Sequence, residues 1–132
     1  MPDQAATISL EREVRRMLEL LDALDTKTLG TMLTDDAQSV DEITRGWTRG
    51  RAAIERYLSQ LEASASDVHS QMSDVQETVW GDVGLVTFVL DQTYKMGGQE
   101  QSISAPTSIL FRRDNGGWKV VLIHTVPIPE NA

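Results

Sequence analysis

Hydrophobic spacing changes period once along this chain, and that change limits the architectures open to it. From Leu10 to Leu24 the apolar residues Leu10, Val14, Met17, Leu18, Leu21 and Leu24 recur at helical spacing, with Glu11, Arg12, Arg15, Glu19 and Asp22 opposite them. Asp25 or Thr26 supplies an N-cap for a shorter helix through Leu33. A third helix is expected from Gly50 or Arg51, showing Ile54, Tyr57, Leu58 and Leu61 on one side. Beyond Val75 the helical period is gone. Val83 to Tyr94 is β-branched and aromatic, with Val86, Phe88 and Leu90 on one face. Gly97-Gly98 marks a hairpin, Ile103 to Arg112 reads as a strand, and Asp114-Asn115-Gly116-Gly117 as a turn. Trp118 to Val126 is a nearly continuous apolar strand closed by Pro127 and Pro129. Helices followed by a meander of long strands predict one α+β domain in which a sheet face covers the helices.

An earlier strand, Ala37 to Ile43, and a loop from Thr44 to Gly50 are expected between the second and third helices. Val75, Glu77 and Val79 alternate weakly before the turn Gly81-Asp82. The length, 132 residues, suits a single domain with its own core. Net charge is −8 and the twelve Lys and Arg are scattered; Arg45, Arg49 and Arg51 form only a short cluster. Nucleic acid, which needs a basic stripe, is not an expected partner. With no cysteine and only His69 and His124 as histidines, thiolate and multi-histidine metal sites are not expected. The first residues lack the pattern of a secretory signal, and no apolar run is long enough to span a bilayer. The expected setting is cytoplasmic, with neither cofactor nor membrane as partner.

From Asp35 onward the chain resembles the NTF2-like superfamily, above all its SnoaL-like and ketosteroid-isomerase-like branches. The likeness is carried by Leu33-x-Asp35-Asp36-Ala37, by Gly50-Arg51-x-x-Ile54, by the hairpin Phe111-Arg112-Arg113-Asp114 to Gly117-Trp118-Lys119-Val120, and by His124-Thr125 late in the last strand. The resemblance implies a cone, with helices packed on a curved, mostly antiparallel sheet around one central pocket. It implies no particular reaction, because the fold carries isomerases, cyclases, dehydratases, epoxide hydrolases and non-catalytic members.

Asp41 stands where the resemblance puts a proton-shuttling carboxylate. A carboxylate aimed into an apolar cone is a plausible base. Its neighbour Glu42 must point the other way, and a one-residue slip would exchange them. His124 is the one titratable group in an apolar strand. The two-residue repeat groups it with Trp118, Val120, Leu122 and Val126, a face that the resemblance assigns to the cone, where it could act as acid, base or donor to a carbonyl. Met17, Trp47, Tyr57, Leu61, Phe88 and Thr107 are the expected pocket wall, with Trp47 as a lid or a cover for the core edge; Asp91 and Gln92 are further polar strand positions. The steroid isomerases hold their oxyanion with a tyrosine and a protonated aspartic acid, an arrangement well established for that enzyme. Those positions match Met17 and Ile109 or Ser108 here, so steroid isomerisation is disfavoured.

Three functions stay open: a cofactor-free acid–base enzyme on a small hydrophobic carbonyl compound, a non-catalytic pocket for such a molecule, and a dimerising domain with a filled pocket. For the fold's usual homodimer, Thr87, Val89, Val121 and Ile123 are expected on the outer sheet face.

Overall fold

The computed structural model describes residues 9–41 and 43–126. Glu42, the residues before Ser9, where no secretory signal was expected, and Pro127 and Pro129 lie outside the described residues. Three helices, α1 (Leu10–Asp22), α2 (Thr26–Gly30) and α3 (Arg51–Ser64), accompany six strands. These are β1 (Leu33–Val40), β2 (Thr48–Arg49), β3 (Ala65–Trp80), β4 (Val83–Met96), β5 (Gln99–Asp114) and β6 (Gly117–Thr125). They form one sheet in the order β2-β1-β6-β5-β4-β3. Among the described residues the β1–β6 pair is parallel and the other four are antiparallel, so the sheet is mostly antiparallel, as expected.

The helices form where spacing and caps predict. Leu10, Val14 and Met17 are the buried stripe of α1, and Ile54 and Leu58 that of α3. The Asp25 carboxylate accepts the Thr28 N–H, an N-cap that starts α2. Gly50 has φ +89° and begins α3 from a conformation that a side chain disfavours. Inward residues of the sheet, including Val86, Phe88, Ile109, Phe111 and Val120, close on α1 and α3 to make the core. Burying each large side chain of this kind contributes about 1.5–3 kcal/mol before entropy is subtracted.

Several boundaries differ from those expected. The second helix stops at Gly30, not Leu33, and the strand after it is Leu33–Val40, earlier than Ala37–Ile43. Thr31 closes the helix by donating from its hydroxyl to the Thr28 carbonyl at 2.6 Å, which frees Leu33 to join the sheet. The supposed loop before Gly50 contains β2, which pairs with Gln38 and Ser39 of β1. β3 begins at Ala65, directly after α3 and well before Val75.

The register of β6 carries the largest correction. Leu110 pairs with Leu122, but Phe111 pairs with Val120, so Val121 is an extra residue in β6. Trp118 and Val120 face the core as predicted. Past the bulge the alternation is reversed: Ile123 and Thr125 face inward, while Leu122 and His124 belong to the other face. Ile123 is therefore a wall of the interior and not part of the outer dimer face.

Candidate functional site

Between α1, α3 and the concave side of the sheet lies a cavity of about 120 Å³. Its wall is mostly apolar, and five expected residues, Met17, Tyr57, Leu61, Phe88 and Thr107, line it together with Asp41. Asp41 stands one residue past β1, at the first position of a turn. Its Oδ1 accepts the Ile43 N–H at 3.0 Å, the Thr44 N–H at 2.8 Å and the Thr44 hydroxyl at 3.0 Å. The Thr44 hydroxyl oxygen in turn accepts the Asp41 N–H at 3.1 Å. An aspartate at the head of a turn is a common device for satisfying backbone donors.

The other carboxylate oxygen has a different partner. Tyr57, one helical turn into α3 past Ile54, donates its hydroxyl to Asp41 Oδ2 at 2.5 Å. Two of its neighbours in sequence, Ile54 and Leu58, are buried in the core, and this holds the phenol over the cavity. One carboxylate oxygen thus fixes the turn, and the other meets a phenol on the cavity wall. A charge-assisted hydrogen bond of this kind is short and roughly twice as strong as a neutral one.

His124 and Trp47 do not line this cavity. Their rings lie against each other, with centroids 5.8 Å apart and planes tilted by 41°. Arg49 is placed over the same indole at 5.6 Å. Trp47 is 49% exposed and packs beside β6 on the face to which His124 belongs. The expected Asp41–His124 pairing across the cavity is not formed, because the Val121 bulge turns His124 away. His69 is exposed on β3.

Further polar groups on the wall are Ser39, Gln92 and Thr125. The Thr107 hydroxyl donates to the Ala105 carbonyl at 3.1 Å and lies 3.4 Å from that of Thr125. Thr125 was hidden because its inward position depends on the bulge. Ser39 could have been found from the alternation of Ala37 and Ser39 about exposed Gln38. Met17 and Ile109 both line the cavity and have no hydrogen-bond donor in their side chains, and Ser108 is not on its wall. Among the described residues no cluster of His, Asp and Glu has the makings of a metal site. No described helix is long and apolar enough to cross a membrane.

Solved structures similar to this chain share the whole fold at low identity. A candidate dehydratase of the NTF2-like family from Streptomyces avermitilis is 20% identical, with a TM-score of 0.76 over 86% of this chain and 90% of its own. An NTF2-like protein of unknown function from Pseudomonas putida is 18% identical, with a TM-score of 0.80 over 96% and 89%. A candidate scytalone dehydratase from Novosphingobium aromaticivorans is 14% identical, with a TM-score of 0.81 over 91% and 82%. No curated protein matches the chain. The model of the SnoaL-like domain matches residues 11–129, from the first turn of α1 to beyond β6. The fold is NTF2-like, and the chain belongs to the SnoaL-like domain family.

Proposed function

We propose that the cavity receives a small, largely apolar carbonyl compound and that Asp41, coupled to Tyr57, moves a proton on it. The observation that carries this is the hydrogen bond from Tyr57 to Asp41 Oδ2 on the wall of an otherwise apolar cavity. Such a cavity strengthens electrostatic contacts made inside it, and general acid–base groups contribute about 10²–10⁴-fold to rate. The reaction is of isomerase, cyclase or dehydratase type and needs no cofactor.

For a β-hydroxy carbonyl compound, Asp41 removes the proton next to the carbonyl. The β-hydroxyl group leaves as water with the Tyr57 proton, and the electron pair of the broken C–H bond forms the new double bond. The proton on Asp41 then returns to the Tyr57 oxygen along their hydrogen bond, and the site is restored. Two of the similar structures carry dehydratase names, which agrees with this chemistry. His124 has no step in it.

Deuterium exchange next to the carbonyl of cyclohexanone, followed by NMR, tests the proposal. Wild type is expected to accelerate exchange, and Asp41→Asn and Tyr57→Phe are each expected to lose most of that acceleration with circular dichroism unchanged. Equal exchange in all three proteins leaves a non-catalytic binding pocket as the function.

A homodimer through the outer sheet face is the second part of the proposal. It is supported by Leu85, Leu110 and Leu122, neighbours in register on three adjacent strands and each only half-buried. Such a row is well suited to cover by a second copy of the chain.

A further inference from the structure

The cavity also meets a polar group whose direction is fixed by hydrogen bonds leading away from the cavity. Gln92 on β4 is 8% exposed and lines both the cavity and a small recess beside Ala65 and Tyr94. Its register partner on β3 is Ser70, so the two side chains stand next to each other on one face of the sheet. Gln92 Nε2 donates to Ser70 Oγ at 2.9 Å. Ser70 Oγ donates to Asp22 Oδ1 at 2.7 Å, and the Ser70 N–H to Asp22 Oδ2 at 3.1 Å.

The polarity of this chain of bonds leaves one arrangement. A carboxylate only accepts, so the single hydroxyl proton of Ser70 points at Asp22. The Ser70 oxygen then offers lone pairs to Gln92, and only the carboxamide NH₂ can meet them. A flipped carboxamide would set two acceptors against each other. Among the described residues none donates a hydrogen bond to Gln92 Oε1. Asp22, moreover, is the last residue of α1, where a negative charge opposes the helix dipole. Its place there is compensated by the two bonds from Ser70.

We infer that Gln92 determines the specificity of the cavity: its Oε1, held as a fixed acceptor by Ser70 and Asp22, selects ligands that carry a hydroxyl or N–H donor. Ser70 and Asp22 are positioning residues that act through Gln92. The inference rests on the cavity's binding a small molecule, and not on proton transfer by Asp41 and Tyr57. A β-hydroxy carbonyl compound carries a donor of the required kind.

Phenol and fluorobenzene are close in size, but only phenol donates a hydrogen bond. Their affinities for the intact chain, measured by NMR titration, give a ratio from which shared apolar burial largely cancels. Gln92→Leu is expected to lower the phenol-to-fluorobenzene ratio about tenfold, the weight of one well-made hydrogen bond. Ser70→Ala frees the carboxamide to turn and lowers the ratio by less, and Ser70→Thr restores it. In the ligand-free protein the Gln92 amide protons are expected to give an Overhauser effect to the Ser70 β-protons. Absence of that effect, or an unchanged ratio in Gln92→Leu while both probes bind, overturns the inference and leaves the Asp41–Tyr57 proposal standing. If neither probe binds wild type, small-molecule binding by the cavity and this inference fall together.

Discussion

Gly84 on β4 lies directly against Leu10, the first residue of α1: a Cβ built on the glycine would collide with Leu10 Cδ1 and stand 3.6 Å from Trp118. Both residues are buried, and the contact seats the start of α1 on the sheet. Gly84→Ala is therefore expected to destabilise the fold by about 1–3 kcal/mol through overpacking. Leu10→Ala alone removes core volume and costs about 2–5 kcal/mol. The double variant, measured by urea denaturation, is expected to be more stable than the sum of the two losses implies, because each change relieves the other.

Asp41 has a structural duty that can be separated from its chemistry. Asp41→Ala removes the acceptor for Ile43, Thr44 and Tyr57 together, and is expected to cost about 1–3 kcal/mol. Tyr57→Phe removes the phenol hydroxyl, and with it the bond to Asp41, but leaves the turn bonds of Asp41 in place. A double-mutant cycle on thermal stability should give a coupling of roughly 1.5–3 kcal/mol if that bond is charge-assisted and shielded. Coupling near zero would mean that solvent replaces the phenol without loss.

His124 is expected to report on Trp47 and not on the cavity. In a Trp80→Phe, Trp118→Phe background, Trp47 fluorescence is expected to change on His124→Gln, because the imidazole lies 5.8 Å from the indole. The same substitution is expected to leave carbonyl exchange unchanged. A large loss of exchange would return His124 to the reaction.

Leu110 lies in the middle of the half-buried leucine row. Sedimentation equilibrium is expected to give a dimer for wild type and a monomer for Leu110→Lys, with similar circular dichroism. A wild-type monomer at tens of micromolar removes the dimer proposal.

The helices and the long strands were legible because each shows one clean period, as in Leu10, Val14 and Met17 or Val86, Phe88 and Leu90. β3 was only half legible. It is an edge strand with Ser66, Asp67, His69, Ser70, Gln71 and Ser73 in its first part, and polar residues on both faces erase the alternation. The cavity wall from α1, α3 and β4 followed from those same periods. Pairings across the fold did not: nothing local to Asp41 or Tyr57 announces that they meet, and Gln92 with Ser70 requires the register of β3 and β4. The face of His124 was misassigned because a bulge leaves no mark in an unbroken apolar run such as Val120-Val121-Leu122-Ile123.

That bulge also says how near this scaffold stands to a different chemistry. With Val121 kept and the pairing to β5 made regular, so that Val121 met Leu110, the end of β6 would rotate by half a repeat. His124 would then enter the interior near Asp41, while Ile123 and Thr125 left it. One residue of register thus separates an interior walled by Ile123 and Thr125 from one that would hold an imidazole.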